Sequence, residues 1–283
     1  MVIRQIRKEA ASKLSNAGVT DVAPLEVLVL MKHIWQTDEI GLLMMADQEA
    51  EPSCVAAFEE LLLRRMQGEP IAHLCGKKEF MSLELEVNRN CLVPRPDTEC
   101  VVERAAMLCR SMKEPKILDI GTGSGCIAIS LAKQLPEAEV TAIDCSEEAL
   151  KIAKNNAKKH DVSVSMRQLD ILKDDPEGRF DLIISNPPYI RSDVIPTLER
   201  EVWAFEPRIA LDGGEDGLLF YRRLIPLALE HLQPGGLLVL EIGWDQAQEV
   251  TDLIQSQEGF SVPSIIHDLA GRSRGIYAAK LQE

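Results

Sequence analysis

The chain of 283 residues lacks several features that define large classes of protein. It has no apolar run long enough to cross a bilayer, and its first eight residues lack the apolar core of a secretory signal. Its seven cysteines include no Cys-x-x-Cys pair, and its five histidines show no ligand spacing. We therefore expect a reduced, cytoplasmic protein with no disulfide framework, no metal site and no membrane association.

Basic residues are also scarce, with 31 Lys and Arg against 45 Asp and Glu and a formal net charge of −14. Proteins that hold nucleic acid through its phosphates need a basic face. The visible lysine cluster, at Lys151, Lys154, Lys158 and Lys159, fits a solvated helix face better than a nucleic-acid groove. Charge therefore argues against a nucleic-acid partner.

The first part of the chain, residues 1–75, predicts a small helical bundle. Apolar residues recur at helical spacing from Ile3 to Leu14, and Pro24 opens a second apolar segment that continues to Trp35. Thr37 is the expected cap of a short third helix, and Cys54–Met66 is the expected fourth. This part shows no catalytic constellation.

A β-hairpin linker, residues 76–97, is expected next. Apolar residues alternate from Phe80 to Val87, which predicts a strand exposed on one side. Asn88–Asn90 is the expected turn and Cys91–Val93 the second strand. Asp97 or Thr98 should cap the helix that follows.

The third part, residues 98–283, alternates strands with helices, which predicts an α/β domain with a mainly parallel sheet. The expected strands are Lys116–Ile120, Glu139–Ile143, Ser163–Gln168, Phe180–Ser185 and Leu237–Ile242, and the intervening helices include Gly125–Gln134, Glu147–Lys159 and Leu218–Leu232. A short loop joins the last two expected strands, Phe260–His267 and Gly275–Lys280, so they must be antiparallel.

A glycine loop follows the first of these strands, in Asp119-Ile120-Gly121-Thr122-Gly123-Ser124-Gly125. Glycine lets the backbone turn tightly and approach a ligand closely. The next two strands end at Asp144 and Asp170, and an acidic side chain at the first of these places can bind ribose hydroxyls. The dinucleotide fingerprint would need glycine or alanine where this chain has Cys126. The loop instead resembles the first motif of methyltransferases that use S-adenosylmethionine.

The tetrapeptide Asn186-Pro187-Pro188-Tyr189 follows the strand Phe180–Ser185, at the sheet edge where open α/β sheets hold their ligands. The prolines stiffen the backbone and leave its carbonyls free to accept. The Asn186 oxygen and the Pro187 carbonyl could accept the two hydrogens of a planar NH2 group, while the Tyr189 ring stacks on it. This pattern favours methyl transfer to an amino or amide nitrogen.

Several further segments are similar to the release-factor glutamine methyltransferase family. They are Pro94-Arg95-Pro96-Asp97-Thr98-Glu99, Glu206 to Gly214 with Asp216-Gly217-Leu218, Pro234-Gly235-Gly236, and Glu241-Ile242-Gly243 with Gln246. The resemblance covers essentially the whole chain. It implies a Rossmann-like methyltransferase domain, of a seven-stranded, mainly parallel sheet with a terminal antiparallel strand, behind the bundle and the hairpin linker. Ile171 departs from relatives that have an aromatic residue there to stack on adenine.

The resemblance also implies a reaction and a partner. The cofactor is S-adenosylmethionine, and the substrate is the Gln of the Gly-Gly-Gln motif in class-1 peptide-chain release factors, whose methylation modulates translation termination. We expect a monomer without direct nucleic-acid contact. The implied cofactor residues are Asp119, Gly121, Thr122, Gly123, Ser124, Gly125, Asp144, Asp170, Ile171 and Asn186, and the implied substrate residues are Asn186, Pro187, Pro188, Tyr189, Arg95 and Glu99, of which Asn186, Pro187 and Tyr189 are catalytic.

Some alternatives stay open at this point. Arg95 and Glu99 either enclose the substrate glutamine or bridge each other, and Glu241 either faces the site or anchors a loop. The same chemistry could serve a ribosomal-protein glutamine or a nucleic-acid base. A binding module that keeps the cofactor fold without catalysis is a further alternative, against which the intact Asn186 and Tyr189 argue.

Overall fold

A computed structural model describes residues 1–282, which form two compact units. The first unit holds Met1–Lys77 and Glu199–Phe205, and the second holds Lys78–Leu198 and the described chain from Glu206 onward. The helices are α1 (Ile3–Ala17), α2 (Ala23–Trp35), α3 (Glu39–Met44), α4 (Pro52–Met66), α5 (Ile71–Cys75), α6 (Pro96–Cys109), α7 (Cys126–Gln134), α8 (Glu147–Lys159), α9 (Arg200–Trp203), α10 (Leu219–His231) and α11 (Ala247–Gln255). The strands are β1 (Lys77–Phe80), β2 (Leu83–Glu86), β3 (Lys116–Ile120), β4 (Glu139–Asp144), β5 (Val164–Gln168), β6 (Phe180–Ser185), β7 (Leu232–Glu241), β8 (Ser264–His267) and β9 (Ser273–Ala279).

The first unit packs α1 to α5 around a core of side chains that includes Leu14, Leu30 and Phe58. Its buried Arg65 is paired with Glu26 at 2.8 Å and with Glu201 at 3.1 Å. A buried guanidinium needs such partners because an uncompensated charge there is costly. The ion pairs therefore help to hold the Glu199–Phe205 segment in this unit.

Thr37 does not cap α3, contrary to the sequence prediction. The helix begins one residue later than that cap requires, and Asp38 Oδ1 accepts the Gly41 N–H at 2.8 Å. Aspartate is among the strongest N-cap residues because its oxygen satisfies an amide of the first turn.

The second unit is built on a seven-stranded sheet in the order β5-β4-β3-β6-β7-β9-β8. Strands β3 to β7 are parallel, and β9 runs antiparallel to both neighbours. Successive strand residues point to opposite faces, so Ile117 lies in one core with α6 and α7 and Leu118 in another with α10 and α11. This arrangement confirms the predicted sheet and its antiparallel end. Among residues 1–282 no helix is both long and apolar enough to span a membrane.

The predicted hairpin is present, but its strands and its turn lie earlier in the chain than predicted. The two strands are β1 and β2, and the turn lies at Met81 and Ser82, inside the single strand that the alternation predicted. Both turn residues have positive φ, 50° and 60°, as a two-residue hairpin turn requires, although neither is the usual Asn or Gly. The apolar alternation continues through the turn and hides it. Cys91–Val93 forms no strand.

The α6 cap prediction was also wrong, because the helix begins at Pro96 and its N-cap Arg95 makes no side-chain cap bond. Proline suits the first helical turn, where the missing N–H is not needed. The predicted lysine face is exposed as expected. Lys151 pairs there with Glu147 and Glu148, and Lys159 pairs with Glu84.

Candidate active site

The candidate site lies where β3 and β6 end side by side, with Ile120 paired to Ser185. The chain runs from β3 outward to β4 and β5 and then returns to β6 on the other side, so the sheet order reverses at this point. Ligands of open α/β sheets bind at such a reversal. The Ser185 hydroxyl donates to the Ile120 carbonyl at 2.7 Å and ties the two strand ends together.

The glycine loop turns sharply after β3 and folds over the end of β4. The N–H groups of Gly121 and Thr122 both donate to the Ile143 carbonyl, at 2.9 and 3.0 Å. Gly121 and Gly123 have φ values of +74° and +56°, and a Cβ on either would meet nothing within 4 Å. Their missing side chains leave open space on the ligand side of the loop, as a close approach requires.

Asp119 lies beneath this loop and does not line the cavity, which differs from its predicted role as a cofactor contact. Its Oδ2 accepts the Thr122 hydroxyl at 2.6 Å and the Ala128 N–H at 3.2 Å. Burial raises the pKa of Asp119 to about 7, and within residues 1–282 its Oδ1 has no hydrogen-bond partner. We interpret Asp119 as a brace that shapes the loop from below.

Gly125 also lies outside the cavity wall, because it serves helix packing. A Cβ there would lie 2.8 Å from Ile129 Cδ1 and 3.1 Å from Ala153 Cβ.

The loop is further held by Asn156, a buried residue of α8 that the sequence analysis did not single out. Asn156 donates to the carbonyls of Ser124 and Glu86, both at 2.9 Å. Only tertiary structure reveals this brace, since 32 residues separate Asn156 from Ser124.

Asp144 and Asp170 both reach the cavity, in agreement with their predicted position. Asp144 accepts the Gly123 N–H through Oδ2 and the Ser146 N–H through Oδ1, both at 2.9 Å. A carboxylate has about four acceptor positions, so Asp144 keeps capacity for ribose hydroxyls. Asp170 is paired with Lys173 at 2.7 Å, and that partner lowers its pKa.

One cavity joins these parts, and its wall is mostly apolar. Ile171 is 7% exposed and lies in this wall, where it can pack on a flat ring. Other side chains of the wall carried no signal in the sequence because their role depends on distant elements. They include Cys91, Leu92, Ile143, Cys145, Leu172, Phe220 and Leu224. Thr122, Ser124 and Asn186 are also in the wall.

Asn186, Pro187 and Pro188 line the cavity directly after β6. The Asn186 amide nitrogen donates to the Thr98 hydroxyl oxygen at 3.3 Å. Because this contact engages the nitrogen, the Oδ1 atom of the amide stays available to accept a hydrogen bond from a ligand. Thr98 was predicted as a helix cap, and instead it contacts the side chain expected to do the chemistry.

Tyr189 does not line the cavity, and its surroundings hold its backbone tightly. A Cβ on Gly217 would lie 2.5 Å from the Tyr189 carbonyl oxygen, and one on Gly213 would lie 2.7 Å from Tyr189 Cα. Gln246 Nε2 donates to the carbonyls of Tyr189 and Gly217, both at 3.2 Å. Two segments far from the turn in sequence, Gly213–Gly217 and Gln246, therefore fix its course.

Glu241, at the end of β7, is 2% exposed and lies behind the turn. The Tyr189 hydroxyl donates to its Oε1 over a long 3.5 Å. Burial raises the pKa of Glu241 to about 7. Burial and this neighbouring carboxylate raise the pKa of Tyr189, so its phenol keeps its proton.

Arg95 and Glu99 do not bridge each other. Arg95 lies in the cavity wall and pairs with Glu206 at 2.6 Å. Glu99 lies outside the wall, and its Oε1 accepts the Met81 N–H at the hairpin turn, at 2.8 Å. Arg95 is therefore placed to contact a ligand, whereas Glu99 braces the hairpin.

The fold of this chain, with its site at the reversal of the sheet order, is similar to that of known methyltransferases. A methyltransferase from Pyrococcus furiosus has a similar structure, with a TM-score of 0.54 over 79% of this chain and 98% of that chain, at 21% identity. This likeness supports the fold. Residues 102–201 match the family model described as a methyltransferase small domain, and residues 5–76 match the model described as a PrmC N-terminal domain.

Similarity to proteins of known sequence identifies the family within the methyltransferases. The chain is 41% identical to a release factor glutamine methyltransferase of Geobacter sulfurreducens over 91% of this chain and 89% of the relative. It is 40% identical to one of Moorella thermoacetica over the full length of both. The chain belongs to the release factor glutamine methyltransferase family.

Proposed function

We propose that the protein transfers a methyl group from S-adenosylmethionine to a release-factor glutamine, on the side-chain nitrogen of the Gly-Gly-Gln motif. The observation that carries the proposal is the meeting of the glycine loop and the Asn186 turn at one cavity. Whole-length similarity to release factor glutamine methyltransferases supports the choice of substrate. In the same proposal residues 1–75 recognise the substrate, residues 76–97 link this part to the rest of the chain, and residues 98–283 catalyse the methyl transfer.

The residues at the cavity fit the proposed cofactor. The open side of Gly121 and Gly123 admits a ligand to the backbone, and Asp144 offers carboxylate oxygens for ribose hydroxyls. Ile171 offers an apolar surface for an adenine ring. When bound, S-adenosylmethionine supplies a methyl group that its sulfonium has already activated for displacement.

The turn after β6 is proposed to hold the nitrogen that accepts this methyl group. An amide nitrogen is a poor nucleophile because its lone pair is delocalised into the carbonyl. Asn186 Oδ1 and the Pro187 carbonyl accept its two hydrogens, and these bonds strengthen as positive charge grows on nitrogen. A nitrogen–carbon bond forms as the carbon–sulfur bond breaks, and the extra proton then leaves the cationic amide for water.

Tyr189 is proposed to act from the edge of this arrangement. Its backbone is fixed by Gly213, Gly217 and Gln246, so the ring has a defined place beside the turn. Burial keeps the phenol protonated, so it can serve as a donor but not as the base. A dedicated base is not required because the methylated amide is itself acidic.

The test uses a class-1 release factor and labelled S-adenosylmethionine. We expect mass spectrometry to find one methyl group on the Gly-Gly-Gln glutamine, and a release factor with that Gln changed to Ala to remain unlabelled. Naked ribosomal RNA, duplex DNA and a ribosomal protein serve as competing substrates. Labelling of one of these, or equal labelling of the Gln→Ala release factor, would show that the substrate is wrong.

A further inference from the structure

Gln246 lies just before α11, and backbone groups hold its side-chain amide in one orientation. Its Oε1 accepts the Gly243 N–H at 3.0 Å, and its Nε2 donates to the carbonyls of Tyr189 and Gly217, both at 3.2 Å. A backbone N–H can only donate, and a backbone carbonyl can only accept. An exchange of the amide oxygen and nitrogen would therefore break all three hydrogen bonds.

Two glycines enclose this amide closely. A Cβ on Gly217 would lie 2.8 Å from Gln246 Nε2, and one on Gly243 would lie 2.9 Å from Gln246 Oε1. Both distances are shorter than an ordinary van der Waals contact, so a side chain at either glycine would displace the amide. The Gln246 N–H also donates to the Gly243 carbonyl at 3.0 Å, which closes the turn that carries the amide. Gln246 is thus fixed in position as well as in orientation.

The carbonyl groups of the turn after β6 have different surroundings. The Tyr189 carbonyl is engaged by Gln246. The Pro188 carbonyl packs against Gly213, where a Cβ would lie 2.9 Å from its oxygen. Within residues 1–282 no hydrogen bond reaches the Pro187 carbonyl, and Pro187 lines the cavity. The Pro187 carbonyl is therefore an acceptor that stays available to a ligand.

We propose that Gln246 is a positioning residue for methyl transfer, which holds the Tyr189 carbonyl and thereby directs the Pro187 carbonyl toward the acceptor nitrogen. Tyr189 lies only two residues after Pro187, and the nearly fixed φ angles of the prolines limit rotation between them. A rotation of the Tyr189 peptide group would thus change the direction of the Pro187 carbonyl. Gln246 does not line the cavity, so it acts through the turn. This inference rests on the proposed role of Pro187 and deepens it.

The first test compares two variants of Gln246 in single-turnover methylation of the release factor. Gln246→Glu keeps an oxygen that can accept from Gly243 but removes both donors. It should slow methyl transfer by about 10- to 100-fold, because a small misplacement at a reacting centre can cost this much. Gln246→Met has nearly the same length and no charge, and its loss should be similar. The affinity for S-adenosylmethionine, measured by calorimetry, should stay within about twofold in both variants, since Gln246 lies outside the cavity wall.

Gln248, two residues further along the chain, is the matched control. Its Nε2 donates to Asp252 at 2.8 Å in an exposed hydrogen bond on α11. Gln248→Glu introduces the same charge and should leave the rate within about twofold of wild type. A wild-type rate in Gln246→Glu, or an equal loss in Gln248→Glu, would overturn the proposal. A loss in Gln246→Glu without one in Gln246→Met would assign the effect to charge and would also overturn it.

A second readout needs no substrate. The Ile190 N–H belongs to the same peptide group as the Tyr189 carbonyl, so its signal in an amide nitrogen–proton spectrum responds to hydrogen bonding of that carbonyl. We expect both Gln246 variants, but not Gln248→Glu, to shift this signal while the spectrum remains that of a folded protein. An unchanged Ile190 signal would overturn the proposal. Absence of release-factor methylation by the wild-type protein would instead refute the proposed function, and the Ile190 signal would still test the contact between Gln246 and Tyr189.

Discussion

The glycine loop and the Asn-Pro-Pro-Tyr turn lie side by side at the ends of β3 and β6, yet different interactions shape them. The backbone of the loop is held by the Ile143 carbonyl, by Asp144, 21 residues after Gly123, and by Asn156, 32 residues after Ser124. The turn is held by Thr98, 88 residues before Asn186, and by Gln246, 57 residues after Tyr189. The loop is thus fixed through its backbone groups, whereas the Asn186 side-chain amide is oriented by another side chain.

The largest effect should follow from breaking the turn at its proposed reacting group. Asn186→Ala should lower the single-turnover rate by about 10²- to 10³-fold, because it removes an acceptor that strengthens in the transition state. Asn186→Asp keeps an acceptor and the size but adds a partly buried charge, so its rate should lie between those of Ala and wild type. Wild-type-like turnover of Asn186→Ala would mean that this residue only shapes the loop.

Packing around the turn can be tested with two glycines that share a φ of +77°. A Cβ on Gly217 would lie 2.5 Å from the Tyr189 carbonyl oxygen, whereas one on Gly271 would meet nothing within 4 Å. We expect Gly217→Ala to lower the free energy of unfolding by about 2–4 kcal/mol and Gly271→Ala by about 1 kcal/mol. Denaturant unfolding measures both changes in stability. Equal losses would mean that the close contact with Tyr189 does not add to the cost of a side chain at position 217.

Burial of Glu241 behind the turn predicts a pH dependence of stability. Its folded pKa of about 7 is above the unfolded value of about 4.5, so its contribution to stability is present below pH 4.5 and is lost as pH rises through 7. The loss should be about 3 kcal/mol. Tyr189, Thr98 and Arg274 limit this cost, because their interactions with Glu241 lower its pKa, whereas Asp97 opposes them.

The control for this pH dependence is Glu241→Gln, which cannot ionise. The free energy of unfolding, measured from pH 4.5 to 8, should fall less steeply with rising pH in the variant than in the wild type. Asp119, whose pKa burial also raises to about 7, contributes the same sign in both proteins and cancels in the difference. Parallel curves would show that the Glu241 carboxyl is not perturbed.

The smallest effect is expected at the loop. Asp144→Ala should weaken S-adenosylmethionine binding by about 1–2 kcal/mol, since it removes an acceptor and releases the Gly123 N–H. Isothermal calorimetry measures this change, and nicotinamide dinucleotides should produce no binding heat. Asp170→Ala is the comparison, because its carboxylate is already engaged by Lys173 and its loss should matter less. An equal loss for both would contradict the distinct role given to Asp144.

The succession of strands and helices along the chain and the position of the two loops could be predicted from sequence, with β3, β6 and α8 found at their predicted limits. Periodicity and glycine carry this information because they act over a few residues. The hairpin turn at Met81 and Ser82 was missed because an uninterrupted apolar alternation passes through it.

The sequence by itself determined the chemistry available at this site, since the prolines after Asn186 restrict their backbone, the glycines of the loop free theirs, and both effects are local. Tertiary structure alone decided which way that chemistry faces. Asp119 and Glu99 carry charges that suggested ligand contacts, and folding placed both outside the cavity wall, where they accept hydrogen bonds from Thr122 and Met81. The physical reason is that a hydrogen bond depends on a few ångströms and an angle, and packing of distant elements sets both.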